Sequence, residues 1–392
     1  MRCKLGDISE ITKLAGYEFT KYIKYIPDGE IIAVRALNLK NGALVLDDIQ
    51  RISKEVSETL PRSQLHKNDI VLSYTGTLGE CAQIREDGKY HLAPNVCKIT
   101  PNDSVVNPNF LFQYIRCEKF KQTLINYAHG STQPTVPMST IRDIPVDIPD
   151  DLEKQGKIAA ILSALDEKIA INRAINDNLE QQAKAIFSKE FLTLETLPIG
   201  WERASLIDIA DYLNGLAMQK YRPTADETGI PVLKIKELRQ GCCDDNSELC
   251  SPNIKSEYII HDGDVIFSWS GSLLVDFWCG GICGLNQHLF KVTSSNYDKW
   301  FYYSWTKHHL DRFVAVAADK ATTMGHIKRD ELAKAEVLIP NEADYKRIRT
   351  LLQPIYDLII TNRIENKRLA KIRDTLLPKL MSGELDVSAI QL

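Results

Sequence analysis

The sequence predicts an α+β fold in which two similar mixed α/β domains alternate with two long helices. Three observations predict it. Pieces of the first half of the chain recur in order in the second half, each copy begins with short apolar runs between turn signals, and each copy ends with a long stretch of helical spacing. At roughly 150 residues per domain, the 392 residues suffice for two or three compact units.

The internal repeat is the strongest signal, because five separate matches keep their order. Their offset falls slowly from 201 to 190 residues, as expected when insertions collect in surface loops. The matched pieces are Leu5-Gly6-Asp7-Ile8 with Leu206-Ile207-Asp208-Ile209, Val34-Arg35-Ala36-Leu37 with Leu233-Lys234-Ile235-Lys236, residues 69–76 with residues 264–271, Ile148-Pro149 with Ile339-Pro340, and Asn172-Arg173 with Asn362-Arg363.

The first part of each copy is predicted to be rich in strands. Apolar runs at 31–34, 70–72 and 96–99 are separated by turn signals such as Asn41-Gly42 and Asp87-Gly88. A single helix is predicted after Pro108, from about Phe110 to Ala128. Each copy is therefore a mixed α and β unit.

The second part of each copy has the alternating four- and three-residue spacing of a coiled-coil seam. Asp150 and Asn341 supply polar caps after a proline, so each helix is expected to begin there and to run for about 38 residues, or roughly 57 Å. The predicted seam consists of Ile158, Leu162, Leu165, Ile169, Asn172, Asn176 and Leu179, with Ile348, Leu352, Ile355, Ile359, Asn362, Asn366 and Leu369 in the second copy.

We expect the two apolar stripes to pack on each other as an antiparallel coiled coil, which gives the molecule a pseudo-twofold. Polar residues in such a seam cost stability but fix register. The alternative is two unrelated surface helices. Pro354 interrupts the second pattern, and a kink or a late helix start is expected there. The predicted boundaries are 1–150 and 193–340 for the domains, 151–192 and 341–382 for the helices, and 383–392 for a tail.

Composition excludes several classes of protein. With 44% hydrophobic and 26% charged residues the chain is globular, and no apolar run is long enough for a membrane helix. The start of the chain lacks the apolar core of a signal peptide, so we expect a cytoplasmic protein with most of its nine cysteines reduced. Their spacing does not favour zinc binding. The formal charge of −4 does not indicate nucleic-acid binding, so a DNA-binding role requires positive charge from partners.

Sequence motifs for catalysis are missing. The chain has no phosphate-binding loop, dinucleotide-binding fingerprint, metalloprotease motif or nucleophile elbow. Asn107-Pro108-Asn109-Phe110 lacks the second proline of the adenine-methyltransferase motif. Pro27-Asp28 with Asp87-Gly88-Lys89 suggests a nuclease site, but the second copy has no equivalent. A long chain without a catalytic set favours recognition or scaffolding.

In the order of its motifs the chain resembles the specificity subunits of type I restriction-modification systems, over essentially its whole length. Two motifs depart from the family pattern, at Asn341 to Lys346 and at Lys320 to Thr323. The resemblance is carried by Leu197-Pro198-x-Gly200-Trp201-Glu202 before Leu206-x-Asp208-Ile209, by Gly130-Ser131-Thr132-Gln133, by Gln155-x-x-Ile158-Ala159-x-x-Leu162-x-x-Leu165-Asp166, and by the segment from Leu376 to Leu385.

The resemblance implies a non-catalytic DNA reader with two target-recognition domains and two spacer helices. It implies a bipartite, asymmetric site on double-stranded DNA, two methyltransferase subunits and two restriction subunits, and no membrane. S-adenosylmethionine, ATP and Mg²⁺ are expected in the partner subunits, with no cofactor and no metal bound by this chain. Two half-sites on one face of DNA would lie about one helical turn, ~34 to 36 Å, apart.

Candidate base-contacting residues are polar loop positions that recur in both copies. Arg and Lys suit guanine, Asn and Gln suit adenine, and Ser and Thr suit either. The candidates are Arg35, Tyr74, Thr75, Gly76, Thr77, Ser131, Thr132 and Gln133 in the first copy, with Lys234, Trp269, Ser270, Gly271, Ser272, Lys320, Thr322 and Thr323 in the second. Two alternative functions remain, a coiled-coil scaffold that does not bind DNA and a stand-alone endonuclease.

Overall fold

The computed structural model describes residues 1–130, 132–319, 327 and 329–387. These residues form two compact units. Unit 1 comprises Met1–Glu167 and Ala370–Leu392, and unit 2 comprises Lys168–Leu369. Each unit therefore holds one part of each long helix.

Unit 1 contains two four-stranded sheets, ordered β2-β11-β8-β9 and β6-β3-β10-β7, and the two-stranded pairs β1-β12 and β4-β5. Only β3 and β10 pair in parallel among these described strands. The strands are β1 (Arg2–Lys4), β2 (Ser9–Lys13), β3 (Ile31–Val34), β4 (Leu39–Lys40), β5 (Ala43–Leu44), β6 (Gln50–Ile52), β7 (Gln64–Leu65), β8 (Ile70–Ser73), β9 (Cys81–Gln83), β10 (Tyr90–Leu92), β11 (Val96–Pro101) and β12 (Pro145–Asp147).

Short helices cover the sheets of unit 1, and one long helix follows them. Short 3₁₀ turns lie at Ala36–Asn38 and Pro61–Ser63. The α-helices are α1 (Leu5–Ile8), α2 (Gly16–Tyr22), α3 (Lys54–Thr59), α4 (Pro108–Ile115), α5 (Glu118–Asn126), α6 (Met138–Asp143) and the long α7 (Leu152–Phe187), which continues as a π-helical turn over Ser188–Leu192.

Unit 2 repeats this arrangement with four-stranded sheets ordered β14-β21-β18-β19 and β16-β15-β20-β17 and the pair β13-β22. Here β15 and β20 are the parallel pair. The strands are β13 (Glu202–Ser205), β14 (Asp211–Asn214), β15 (Ile230–Leu233), β16 (Leu249–Cys250), β17 (Ile259–Ile260), β18 (Val265–Ser268), β19 (Leu274–Phe277), β20 (Cys283–Leu285), β21 (Leu289–Thr293) and β22 (Glu336–Ile339).

The helices of unit 2 also follow the order seen in unit 1. Short 3₁₀ turns lie at Met218–Lys220 and Ser256–Tyr258. The α-helices are α8 (Leu206–Ile209), α9 (Ile235–Gln240), α10 (Lys299–His308), α11 (Leu310–Asp319), α12 (Arg329–Ala333) and the long α13 (Glu342–Ser382).

The matching strand orders confirm the duplication predicted from the sequence. Local contacts repeat as well. The backbone N–H of Lys4 donates to Asp7 (2.8 Å) at the start of α1, and that of Ser205 donates to Asp208 (2.7 Å) at the start of α8. This contact explains why the aspartate recurs in the first sequence match, since its carboxylate satisfies a free donor at a helix start.

The two long helices run antiparallel to each other within each unit. In unit 2, Asn172 donates to Asn366 (3.0 Å), and Asn362 donates to Asn176 (2.9 Å), so residue numbers rise on one helix as they fall on the other. In unit 1, Arg373 donates to Asp166 (2.8 Å). The predicted antiparallel pairing is therefore confirmed, and its four polar register residues all lie in unit 2.

The apolar seam residues are buried or partly buried, as predicted. Ile158 and Leu162 belong to the core of unit 1 together with Leu377 and Leu380. Ile348, Leu352 and Ile359 belong to the core of unit 2, with Leu179 and Ile355 packed against it. Leu165 and Leu369 are half-buried, and Ile169 is buried.

Two local predictions were wrong. The segment expected as one helix over Phe110–Ala128 forms two helices, because the Cys117 thiol accepts the N–H of Phe120 (3.4 Å) and starts α5 separately. The second long helix begins at Glu342 and continues through Pro354, so the late helix start considered there is wrong. Pro354 is exposed, so water can satisfy the carbonyl group that loses its intrahelical partner.

Candidate nucleic-acid interface

A groove of about 770 Å³, lined by both apolar and polar side chains, lies at one end of the sheets of unit 1, and we call it groove 1. It brings together four residues that the sequence singled out, Arg35, Thr75, Gly76 and Thr77. The remaining lining residues are Tyr25, Ala36, Leu37, Leu39, Lys40, Asn41, Glu80, Pro94 and Asn95.

The loop after β8 is held in place by a second loop. Gly76 has φ +78°, a left-handed backbone that favours glycine, and its N–H donates to the carbonyl of Pro134 (2.8 Å). The hydroxyls of Thr75 and Thr135 lie 2.6 Å apart. Pro134 and Thr135 are thus held against the loop that lines groove 1, and the exposed Thr132 and Gln133 directly precede them in the chain.

Arg35 is anchored within its own unit. Its guanidinium donates to the carboxylate (2.9 Å) and to the backbone carbonyl (2.8 Å) of Asp48. A fixed arginine is better suited to a bidentate contact than a mobile one, because less conformational entropy is lost on binding. The same anchor leaves Arg35 only partly available for a new partner.

Unit 2 has a smaller groove of about 490 Å³ in the equivalent place, and we call it groove 2. Ile235, Lys236, Arg239 and Gln240 of α9 line it. Gly271, with φ +66°, is close to it, since a β-carbon at this position would lie 3.8 Å from Ile235. The loop after β18 and the turn after β15 therefore meet, as the equivalent segments do in unit 1.

Lys234, the counterpart of Arg35, is also paired with an acid. Its ammonium group donates to Glu248, and Arg222 lies 3.1 Å from the same carboxylate. The Lys234 contact is the main cause that lowers the pKa of Glu248. The basic residue after the first parallel strand thus has an acidic partner in both units.

The predicted aromatic residues of the two loops are partly buried and contact side chains of their own unit. Tyr74 is half-buried, its pKa is raised by burial, and the ammonium group of Lys13 lies 5.5 Å from its ring. Trp269 donates through its indole N–H to Asn214 (3.0 Å) and packs against Phe290. These contacts hold the two side chains in place, and their role in base contact stays a prediction.

Ser270 is 1% exposed, so the structure contradicts its prediction as a surface contact; in contrast, Ser272 is exposed. The Ser270 carbonyl accepts the hydroxyl of Ser268 (3.2 Å), as the Thr75 carbonyl does that of Ser73 (3.5 Å), but Thr75 stays partly exposed. Four further candidates lie outside the described residues, namely Ser131, Lys320, Thr322 and Thr323.

Several groove residues were missed by the sequence reasoning. Tyr25, Lys40, Asn41 and Asn95 line groove 1, and Lys236, Arg239 and Gln240 line groove 2. A signal existed for two of them, because Asn41 (φ +53°) and Asn95 (φ +71°) hold left-handed backbones, and asparagine is the side chain most often found there after glycine. The Asn41-Gly42 pair by itself predicts only a turn.

Neither metal sites nor membrane spans are found in the part of the chain that the structure describes. No cluster of three or more His, Cys, Asp or Glu side chains there could hold a metal ion. None of the helices described is long and apolar enough to cross a membrane. All nine cysteines are free.

Comparison with known families decides the identity of this duplicated fold. The family described as "Type I restriction modification DNA specificity domain" matches residues 1–181 and 198–373, so each copy of the repeat matches it once. The chain belongs to this family of type I specificity subunits. The resemblance drawn from the sequence motifs is thereby confirmed, and the role of a specificity subunit replaces the alternative of a scaffold without DNA recognition.

Known proteins match most of the length of the chain at low sequence identity. The MjaIX specificity subunit of Methanocaldococcus jannaschii is 28% identical over 74% of this chain and 72% of its own length. The EcoKI specificity subunit of Escherichia coli is 22% identical over 97% of this chain and 89% of its own length. The crystal structure of the type I S subunit from M. genitalium is 14% identical, covers 97% of this chain and 95% of its own, and gives a TM-score of 0.56. This last likeness supports the fold.

Proposed function

We propose that this specificity subunit reads a bipartite, asymmetric sequence on double-stranded DNA, with groove 1 at one half-site and groove 2 at the other. The observation that carries the proposal is that two units with the same strand order present grooves at the same place. The side chains that line the two grooves differ. One framework with two sets of loops suits the recognition of two different half-sites, because loops carry the variable contacts on a rigid scaffold.

The chain itself acts as a non-catalytic subunit in this proposal. Two methyltransferase subunits and two restriction subunits complete the assembly and bring S-adenosylmethionine, ATP and Mg²⁺. These partners also supply basic surface, which a chain of net charge −4 needs to hold a polyanion. A stand-alone endonuclease would instead cleave DNA with Mg²⁺ after removal of all partner subunits.

Methylation mapping tests the proposal directly. The chain is expressed with its methyltransferase partner in a host that lacks other DNA methylation, and methylated bases are mapped across the genome by single-molecule sequencing. We expect one motif made of two different short half-sites separated by unspecified bases. A single uninterrupted motif, or no methylation that depends on this chain, would contradict the proposal.

Gln133 provides a test at the level of one loop. If it contacts a base, Gln133→Ala relaxes one position of one half-site, at about 1 to 3 kcal/mol, and leaves the other half-site unchanged. Thr132→Ala on the same exposed turn serves as the neighbouring variant. The readout is the affinity of the methyltransferase complex for duplexes altered at one position each. Equal weakening on all sequences would mark a phosphate contact instead.

A further inference from the structure

Two equivalent positions, one in each unit, line groove 1 and groove 2 and carry side chains of different chemistry. Leu37 lines groove 1 and is 46% exposed. Lys236 lines groove 2 and is also exposed. A scattered surface leucine needs no explanation, but this one lies in a groove whose other lining residues include Arg35, Lys40 and Asn41.

The two positions have the same place in the fold, although the turn is a 3₁₀ turn in unit 1 and an α-helix in unit 2. Each is the second residue of the helical turn that follows a strand of the parallel pair, β3 in unit 1 and β15 in unit 2. Each turn is capped alike, since the N–H of Arg35 donates to the Asn38 side chain (3.1 Å) and the N–H of Lys234 donates to the Glu237 side chain (3.2 Å). The same framework therefore presents an aliphatic side chain once and a cation once.

The chemistry of DNA bases distinguishes these two side chains. In the major groove only thymine presents a methyl group, which apolar side chains contact, whereas guanine presents two acceptors, O6 and N7, which lysine can bind. Lys236 lies 3.3 Å from Asp244, but both side chains are well exposed. Such a surface ion pair contributes little to stability, about 0 to 1 kcal/mol. Its lysine can therefore exchange the carboxylate for a base.

We propose that Leu37 and Lys236 are matched specificity-determining residues of the two units. Leu37 contacts the 5-methyl group of a thymine in one half-site, and Lys236 donates to guanine N7 in the other half-site. This inference rests on the proposed function, and it adds which base each unit selects at one position. It assigns the asymmetry of the site, at that position, to a single substitution on a shared turn.

Base analogues that remove one group at a time test this assignment. The full chain in complex with its methyltransferase partner is titrated onto its mapped duplex, with each thymine replaced in turn by uracil and each guanine by 7-deazaguanine. We expect one uracil substitution to weaken wild-type binding about fourfold, since a buried methyl group contributes ~0.8 kcal/mol. The same substitution should leave the affinity of the Leu37→Ala complex unchanged. A 7-deazaguanine substitution in the other half-site should lose its effect in Lys236→Met.

Matched controls separate this result from general weakening. Leu46→Ala removes another exposed leucine of unit 1 that does not line groove 1, and Lys255→Met removes an exposed lysine of unit 2 that does not line groove 2. Both control complexes should keep the wild-type response to every analogue. Thermal unfolding of each variant verifies that it is folded.

Several outcomes would overturn the assignment. These are a Leu37→Ala complex that responds to every uracil like the wild type, two variants that act on the same half-site, or half-sites without an A·T pair in one and a G·C pair in the other. Failure of the proposed function looks different, because the wild-type complex would then bind a scrambled duplex as tightly as its mapped target.

Discussion

Asp69 and Lys98 form a buried ion pair in unit 1 at 4.0 Å, and Asp264 and Lys291 repeat it in unit 2 at 3.0 Å. In both pairs the lysine also donates to a backbone carbonyl at 3.0 Å, that of Gln64 or Ile259. The pair connects the two sheets of its unit, because β7 and β11 belong to different sheets. Its recurrence after the divergence of most surface residues is consistent with a structural role in each unit.

Removal of the lysine is expected to destabilise unit 1 more than unit 2. Lys98→Met leaves the Asp69 side chain, which is 2% exposed, without its cation, whereas Asp264 is 18% exposed and can be hydrated. We expect a loss of about 3 kcal/mol for Lys98→Met and roughly half of that for Lys291→Met, as for buried pairs that lose one partner. Urea unfolding measures both. Equal losses would show that burial of the remaining aspartate does not determine the cost.

His91 makes the stability of unit 1 depend on pH. It is fully buried in β10, and burial is the main cause that lowers its pKa. The unfolded chain therefore binds a proton more readily than the folded chain. The stability contributed by neutral His91 is complete above the unfolded pKa of about 6.5 and is lost as the pH falls from there through the folded pKa.

We therefore expect the unfolding temperature to fall between pH 7 and pH 5, and to fall less in His91→Gln. The replacement cannot be protonated, so it removes the difference in proton uptake at this site. His129→Gln, which changes an exposed histidine of the same unit, is the control. Scanning calorimetry in buffers of constant ionic strength provides the measurement. An unchanged pH dependence in His91→Gln would contradict the assignment.

At the scale of elements, the asparagines of the long helices fix how these helices pair in unit 2. Asn176 accepts from Asn362 and donates to the backbone carbonyl of Ile359 (3.2 Å), and both side chains are buried. Buried amides that bond only in one alignment penalise other alignments. The seam therefore gives up some stability for a defined register.

A double-mutant cycle tests whether the asparagines fix the register at a cost in stability. Asn362→Leu alone is expected to cost about 1 to 3 kcal/mol, because it leaves buried polar atoms of Asn176 without a partner. Asn176→Leu combined with Asn362→Leu should recover that loss, since apolar side chains suit the seam. Urea unfolding gives the stabilities, and cysteine cross-linking along the two helices reports register. A double variant that is as unstable as the single one would contradict a role in register alone.

Sequence periodicity predicted some elements better than others. The 36-residue and 41-residue helices follow from a long four-three pattern that few other structures produce. The break between α4 and α5 does not follow from periodicity, because apolar residues continue across it and the Cys117 cap is a weak signal. The late helix start considered at Pro354 does not occur, since one helix runs from Glu342 to Ser382.

For the whole molecule, the charge balance predicts how DNA binding depends on partners. The chain carries 48 basic and 52 acidic residues, and Arg35 and Lys234 already have acidic partners. We expect weak binding by the isolated chain and tight binding by the methyltransferase complex, with log K falling by about 0.9 per phosphate contact as log salt rises. Titrations from low to high salt measure both slopes. Equal affinity with and without the methyltransferase would contradict this expectation.

The amino-acid pattern alone specified the duplication, the strand-rich and helical parts of each copy, and the polar register of the seam. These features are local or periodic, and they can be seen in one pass along the chain. Which loops share a groove was decided only by tertiary structure, because strand pairing joins residues as distant as Thr75 and Thr135. The burial of Ser270 and the exposure of Leu37 and Lys236 in their grooves also depend on long-range pairing. Solvent exposure is decided by how the sheets pack and not by the local segment.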